Sequence, residues 1–232
     1  MVRAKAERRF ARSYDLAAMN NTDLANLRRD YSSRELAEST IAHDPFAQFS
    51  KWMDEAVNSA VLDANAMTVA TVDADNRPSS RIVLLKGFDR KGFVFFTNYE
   101  SKKAADLDTN SNITLHFFWP DLQRQVSISG TAAKTSREES QSYFASRPID
   151  SQIGAWASKQ SSALANRKEL EDRVAEIKKR FDGKEIPCPP FWGGFRVSPN
   201  RFEFWQGGAS RLHNRICYTL SDDAWVISRL SP

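Results

Sequence analysis

The pattern of apolar and polar positions predicts amphipathic helices at intervals along the chain. Pro45–Asn58 carries apolar residues at helical spacing, which predicts a helix with one packed face made of Phe46, Phe49, Trp52, Met53 and Val57. Ala163–Phe181 repeats apolar residues every three or four positions, so a second helix with charges on its opposite face is expected there. A short helix capped by Asn21 or Thr22 is expected to run through Leu27.

Apolar runs bounded by turn-forming residues predict that most of the remaining chain is β-structure. The first predicted strands are Ala66–Val72, Ser80–Phe88, Gly92–Thr97, Asn112–Phe118 and Gln123–Thr131. Three further short strands are expected between Gly194 and Arg229, after an extended proline-rich linker over Glu185–Pro190. The expected fold class is therefore mainly β with peripheral helices (α+β), arranged as an antiparallel barrel.

Composition narrows the class of protein. The 232 residues are 41% hydrophobic, which is enough to bury a core in one domain, and no apolar run is long enough for a transmembrane helix. The isoelectric point near 9.1 raises the alternative of a nucleic-acid-binding protein, but acidic residues interleave with the basic ones throughout. We therefore expect neither a nucleic-acid partner nor a membrane. Cys188 and Cys217 have no metal-ligand spacing, so no metal is expected and a reducing compartment is the default.

The N-terminus is the most basic part of the chain, with arginine or lysine at positions 3, 5, 8, 9 and 12. We interpret residues 1–25 as a solvated, partly disordered extension of a single domain over residues 26–232. A basic start of this kind also occurs in organelle transit peptides, but Glu7 and Asp15 count against that alternative. The expected location is the cytoplasm.

The stretch from Phe204 to Arg215 contains two aromatic residues, two glycines, two arginines and a histidine. Arginine supplies forked donors to phosphate or carboxylate, and histidine can exchange a proton near neutral pH. If strand alternation holds from Arg211, then Arg211, His213 and Arg215 lie on one face. By itself such a motif is more often an exposed polar strand. A binding site is therefore predicted only if other anion-binding clusters occur in the sequence.

Three such clusters occur elsewhere in the sequence. Arg81–Lys86 places four aliphatic residues between two cations, and Ser101 is expected to cap a helix whose free N–H groups lie beside Lys102 and Lys103. Tyr143 and Arg147 are four residues apart, hence on one helix face, and Ser151 follows a proline break. Because the net charge is only +4, four clusters favour a localised anionic ligand over a general polyanion surface.

These segments together resemble the pyridoxine/pyridoxamine 5'-phosphate oxidase family. The resemblance runs from about Asn26 to Pro232. It depends most on the segments 81–86, 146–148 with 150–156, 158–162, 191–197 and 205–215. It implies an FMN-binding split barrel that forms a homodimer with FMN at the interface, and a dimerisation and substrate segment at about residues 190–232.

The resemblance also implies site residues. The FMN contacts would be Arg81, Ile82, Val83, Leu84, Leu85, Lys86, Phe96, Thr97, Lys102, Lys103, Gln125, Gln160, Ser161, Trp205 and Arg215. The substrate contacts would be Arg28, Arg29, Asp30, Tyr31, Lys86, Tyr143, Arg147, Ser151, Arg211, Leu212 and His213, with the first four in a closing segment. Arg211 and His213 would be the catalytic residues. The implied reaction oxidises pyridoxine or pyridoxamine 5'-phosphate to pyridoxal 5'-phosphate, with O₂ as acceptor and H₂O₂ as product.

Three residues depart from the family pattern. Asn214 stands where aspartate is expected, Lys102 where arginine is common, and Phe96 where tyrosine is usual. The loss of a carboxylate at position 214 keeps open a noncatalytic carrier or sensor of FMN or pyridoxal phosphate on the same fold. It also predicts that Asn214→Asp raises catalytic efficiency.

Overall fold

The computed structural model describes Leu27, Tyr31, residues 36–59 and residues 61–232. The predicted helix before Leu27, the N-terminal extension and the predicted substrate residues Arg28, Arg29 and Asp30 lie outside the described residues. No helix within the described residues has both the length and the apolarity needed to cross a membrane.

Helix α1 spans Pro45–Asn58, as predicted. It begins where the side chain of Asp44 accepts a hydrogen bond from the N–H of Phe46 at 3.0 Å. Phe49, Trp52 and Met53 are buried against the sheet. The prediction that Val57 also packs is wrong: its side chain is 60% exposed, because it lies on the solvent side of the last turn.

Nine strands of the described residues form one sheet, and every pairing among them is antiparallel. The sheet curls into a half-barrel, which confirms the expected fold class. The strands are β1 Ala66–Val72, β2 Pro78–Leu84, β3 Gly87–Asp89, β4 Gly92–Asn98, β5 Asn112–Trp119, β6 Arg124–Lys134, β7 Trp192–Gln206, β8 Asn214–Ser221 and β9 Ala224–Leu230. Their order is β2-β1-β5-β6-β7-β4-β3, and β8 joins β7 to β9.

The predicted single strand Ser80–Phe88 is wrong, because the chain changes partners at Leu85. The N–H of Leu85 donates to the carbonyl of Asn65, beside β1, and the N–H of Lys86 donates to Val94 in β4. Leu85 turns into the core at this break and is only 6% exposed. The break leaves Lys86 exposed between two strands.

Three strands follow the proline-rich linker, as predicted, but the first is longer than expected. β7 has 15 residues because it pairs with different strands along its length. Its first half pairs with β4 and its second half with β8, while β6 pairs with it from Phe195 to Gln206 apart from a bulge at Ser129/Gly130. One strand therefore joins the C-terminal hairpin to the rest of the sheet.

The other helices are α2 Lys102–Thr109, α3 Arg137–Ala145, α4 Ile149–Ala157 and α5 Arg167–Arg180. The predicted helix from Ala163 starts later, because Asn166 caps it by accepting from the N–H of Glu169. Ser101 occupies the N-cap position of α2, as predicted. A second apolar cluster around Phe144, Ile153 and Trp192 packs α3 to α5 against β4 and β7.

Candidate active site

A cavity of about 820 Å³ opens between β2, β4, α2 and the α3–α4 connection. Such a volume lies in the range of small-molecule and cofactor sites. The predicted site residues that line it are Arg81, Ile82, Val83, Leu84, Lys86, Phe96, Thr97, Lys102, Lys103, Tyr143, Arg147, Ser151, Gln160 and Ser161. Sequence reasoning missed Asn98, Pro148, Gly154, Ala155, Ser158 and Trp192, which also line it and are too common in cores and loops to signal a ligand.

Lys103 is the most deeply buried cation of this cavity. Its Nζ donates to Gln160 Oε1 at 2.6 Å, Thr97 Oγ1 at 2.9 Å and Ser101 Oγ at 3.1 Å. All three acceptors are neutral. Burial, and then the positive charge of Arg81, lower the pKa of Lys103 to about 8. The position is therefore prepared for an anion that would compensate the lysine charge.

Arg81 and Lys102 adjoin Lys103, and Asp106 holds both. Lys102 Nζ lies 3.1 Å from one Asp106 oxygen, and Arg81 Nη2 lies 3.9 Å from the other. Burial opposes the charged carboxylate, but hydrogen bonds from Thr71, Lys102 and Ser79 hold the pKa of Asp106 below its ordinary value. Arg81, Lys102 and Lys103, the cation cluster, thus have three positive charges beside one buried carboxylate.

A second part of the same cavity is aromatic. Tyr143 stacks on Phe96 with ring centroids 4.0 Å apart, and Phe96 stacks on Trp192 at 5.5 Å. The guanidinium of Arg147 lies over Trp192 at 4.7 Å. The predicted shared helix face is wrong in one respect: α3 ends at Ala145, so Arg147 lies beyond the helix, although it and Tyr143 both line the cavity.

The residues present fit a phosphorylated cofactor such as FMN. Arg147 Nη1 is buried, and no described residue accepts a hydrogen bond from it. Burial also lowers the pKa of Arg147. Because a buried donor without a partner costs about 1–3 kcal/mol, this atom favours an anionic ligand in the cavity. The ammonium of Lys103 favours one as well, because its charge is buried among neutral acceptors.

Tyr31, Trp205 and His213 form a separate group, the aromatic cluster. The His213 ring lies 4.6 Å from Trp205 and 5.6 Å from Tyr31, centroid to centroid. Gly207 permits this approach, since a Cβ atom there would lie 2.9 Å from Tyr31 Cδ1. Burial, and then the positive charge of Arg211, lower the pKa of His213. The imidazole is therefore mainly neutral at pH 7.

The predicted strand alternation of Arg211, His213 and Arg215 is wrong. Arg211 ends a short 3₁₀ turn, Ala209–Arg211, with a positive φ of 63°, and β8 begins only at Asn214. The N–H of Gly208 donates to His213 Nδ1 at 3.1 Å, which closes the loop on itself. Arg211 and Leu212 are exposed, so loop geometry sets their directions.

Gln125, Trp205 and Arg215 do not line the cavity. They lie in one cross-strand row, because Gln125 pairs with Trp205 and Trp205 pairs with Arg215. Trp192, at the start of β7, lines the cavity, whereas Trp205 is near the other end of the same 15-residue strand. The path along the strand between these two residues is roughly 40 Å at ~3.3 Å per residue. One chain thus separates the predicted FMN residues into two groups.

The predicted FMN residues that line the cavity and those in the Gln125 row border the same face of the sheet. Phe118 extends the Gln125 row and is 56% exposed. The row containing Ile82, Thr68, His116, Ser127 and Glu203 lies two residues away on each strand that the rows share, hence on the same face. Ile82 lines the cavity and is 65% exposed. Exposed apolar side chains in both rows are typical of an interaction surface.

Asn214 has a defined role that the sequence did not reveal. Its Oδ1 accepts a hydrogen bond from Arg229 Nη1 at 2.9 Å. The same guanidinium binds both carboxylate oxygens of Glu38, at 2.5 and 2.7 Å. Glu38 carried no sequence signal, because its partner is 191 residues away in the chain. No group of three or more potential metal ligands occurs among the described residues.

The fold and the cationic cavity define the class of protein, an FMN-binding split barrel. A model of the family described as pyridoxamine 5'-phosphate oxidase matches residues 53–181. A model described as pyridoxine 5'-phosphate oxidase C-terminal dimerisation region matches residues 192–232. The chain belongs to the pyridoxine/pyridoxamine 5'-phosphate oxidase family.

Relatives named pyridoxine/pyridoxamine 5'-phosphate oxidase extend over nearly the whole chain. The protein of Rubrobacter xylanophilus is 51% identical over 90% of this chain and 97% of its own length. The protein of Burkholderia lata is 53% identical over 91% of this chain and 100% of its own length.

Two solved structures are also similar. PhzG from Burkholderia lata, in complex with tetrahydrophenazine-1-carboxylic acid, has a TM-score of 0.82 at 26% identity over 88% of this chain and 100% of its own. A pyridoxamine 5'-phosphate oxidase-related, FMN-binding protein from Nostoc punctiforme has a TM-score of 0.64 at 15% identity, over 83% of this chain and 100% of its own, so it shares the fold.

These comparisons support FMN as the cofactor and an oxidoreductase as the class of enzyme. The match to a dimerisation region supports a homodimer.

Proposed function

We propose that the protein oxidises pyridoxine 5'-phosphate or pyridoxamine 5'-phosphate to pyridoxal 5'-phosphate, with FMN as cofactor and O₂ as acceptor. The observation that carries the proposal is the presence of two cationic groups in one cavity: the cation cluster, and Lys86 and Arg147 beside Tyr143 and Ser151. Cofactor and substrate each carry one phosphate, so two phosphate sites are needed.

The cation cluster would bind the FMN phosphate, and Thr97, Gln160 and Ser161 would contact polar groups of the cofactor. When bound, FMN supplies the two-electron redox chemistry. Arg147, through its buried Nη1, would bind the substrate phosphate together with Lys86, Tyr143 and Ser151. Binding at these residues would hold the C4' carbon in one pose, which lowers the entropy cost of reaching the transition state.

We further propose that each site is completed by a second copy of the chain. Gln125, Trp205 and Arg215 do not line the cavity of their own chain, yet they and the residues that line it border one sheet face. A homodimer that buries this face would place them against the partner's cavity. Arg211 and His213 would come with them, because His213 contacts Trp205.

In this arrangement His213 and Arg211 would orient the substrate at C4'. Since His213 Nδ1 accepts from the N–H of Gly208, its proton would lie on Nε2, which could donate to the substrate. In the overall reaction the substrate loses two electrons and two protons at C4', and O₂ takes them up as H₂O₂. The amine substrate also takes up water and releases ammonia.

The test is an absorption spectrum of the purified protein with FMN, followed by pyridoxine 5'-phosphate under air with peroxide detection. Bound flavin, peroxide and a new aldehyde chromophore are expected. Bound flavin without turnover would support the noncatalytic carrier instead. Tetrahydrophenazine-1-carboxylic acid, the ligand of the PhzG structure, is the comparison substrate, and turnover of that acid alone would overturn the proposed substrate.

A further inference from the structure

Arg229, in β9, joins three parts of the chain through one guanidinium. Nε and Nη2 donate to the two oxygens of Glu38, and Nη2 also donates to the carbonyl of Leu36 at 3.0 Å. Nη1 donates to Asn214 Oδ1 at 2.9 Å, at the start of β8. Because the guanidinium is planar and its donors point in fixed directions, this arrangement fixes orientation as well as distance. We refer to Arg229, Glu38, Leu36 and Asn214 as the Arg229 latch.

The chain on both sides of Glu38 contacts the rest of the fold. Leu36 belongs to the core and is only 6% exposed. Further along, the hydroxyl of Tyr218 donates to the carbonyl of Ala42 at 2.7 Å, and the N–H of Ala42 donates to Gln48 Oε1 at 3.0 Å. The chain is thus attached to the C-terminal hairpin on both sides of Glu38.

Residues at both ends of the Arg229 latch lie close in sequence to residues of the aromatic cluster. Tyr31, which contacts Trp205 and His213, precedes Leu36 by a few residues. Asn214 directly follows His213 in sequence. Arg229 therefore connects Leu36 and Glu38, which follow Tyr31 in the sequence, with the residue next to His213.

We propose that Glu38 and Arg229 are a positioning pair that holds Tyr31 against His213, with Asn214 as a neutral third partner. The role in substrate binding rests on the proposed function, whereas the latch itself does not. The carboxylate expected at position 214 is replaced here by that of Glu38, which pairs with the arginine from the other side. Hydrogen bonds from Arg229 lower the pKa of Glu38 to about 2, so the pair stays charged in any ordinary assay buffer.

The test compares Glu38→Gln with the double variant Glu38→Gln/Asn214→Asp, both as FMN-loaded protein. The single variant removes the carboxylate from Arg229, and the double variant returns one at the position of Asn214 Oδ1. Glu171→Gln is the matched control, because Glu171 forms an exposed ion pair with Arg167 on α5. One readout is hydrogen exchange of the peptides covering residues 27–42, and the other is the separation of KM from kcat.

For Glu38→Gln we expect faster exchange in these peptides and a KM for pyridoxine 5'-phosphate raised roughly fivefold, with kcat little changed. The double variant should recover most of both effects, and the control should show neither. Unchanged exchange in Glu38→Gln, or no recovery in the double variant, would overturn the latch. If the unmodified protein shows no turnover, the proposed function fails, while the exchange measurements still decide the latch.

Discussion

The cation cluster and the aromatic cluster differ in how much of their surroundings one chain supplies. Lys103 has three hydrogen-bond acceptors within its own chain and lies in a cavity formed by neighbouring elements. His213 lies in a loop held by Gly208, Trp205, Tyr31 and the Arg229 latch. The cavity that we assign to the FMN phosphate is therefore formed by one chain, whereas the proposed substrate-orienting residues would need a second copy to meet a cavity.

The largest effect is expected from complementation between two variants that are each nearly inactive alone. Lys103→Met, assayed at an FMN concentration well below its raised Kd, and His213→Ala should each lose most turnover when pure. If each site uses one chain's cavity and the other chain's His213, a heterodimer has one intact site. Random exchange of subunits should then restore about a quarter of the unmodified activity.

The measurement is turnover after co-expression or subunit exchange, with each pure variant as control. If the cavity and His213 of one chain formed a site together, every site of the heterodimer would carry one substitution. No recovery would then be seen, and the shared site would be wrong.

The next largest effect concerns the two neighbouring lysines. Lys103→Met should weaken FMN binding about thirtyfold, because a buried charge-assisted hydrogen bond contributes ~2 kcal/mol. Lys102→Met should have less than about a fivefold effect, because Lys102 is half exposed and already paired with Asp73 and Asp106. FMN titration by fluorescence quenching measures both, and equal effects would show that burial does not distinguish the two lysines.

The lowered pKa of Lys103 should also make FMN binding depend on pH. The pKa of Lys103 is lowered to about 8 without ligand, and a phosphate dianion would favour the protonated form. FMN binding above pH 8 should therefore take up a proton. The affinity should fall by up to about tenfold per pH unit there, and stay nearly level between about pH 7 and 8. A flat profile to pH 9.5 would contradict this assignment.

The stability of the FMN-free protein should depend on pH in the opposite direction to the FMN affinity. Since the pKa of Lys103 is lower in the folded chain than its ordinary value of 10.5, the unfolded chain binds more protons between the two values. The contribution of Lys103 to the free energy of unfolding should increase with pH in that window. Comparison with Lys103→Met by chemical denaturation isolates this contribution.

The smallest expected effect is that of Asn214→Asp alone. The sequence predicted an increase in catalytic efficiency from a restored carboxylate. Because Glu38 already pairs with Arg229, we now expect kcat/KM to change by less than about twofold. An increase of tenfold or more, measured by peroxide production, would show that the carboxylate acts on the substrate rather than on Arg229.

Local sequence patterns were enough for most elements of the fold. The helix Pro45–Asn58 and the strand Ala66–Val72 have the predicted bounds, because their apolar spacing and end signals lie within a few residues of each other. The predicted strand through Lys86 failed because its break depends on Asn65 and Val94, which are distant in sequence. The Arg211–Arg215 alternation failed because a hydrogen bond from Gly208 to His213 favours a loop.

The family, the main strands and the residue types of a phosphate-binding cavity could be predicted from the sequence, since contiguous segments carry them. Which residues meet depends on the tertiary structure. It brought Lys103, Thr97 and Gln160 together and placed Trp205 at the far end of β7 from Trp192. It also paired Arg229 with Glu38 across most of the chain. The physical reason is that strand register and cross-strand pairing set distances between side chains that local propensity does not encode.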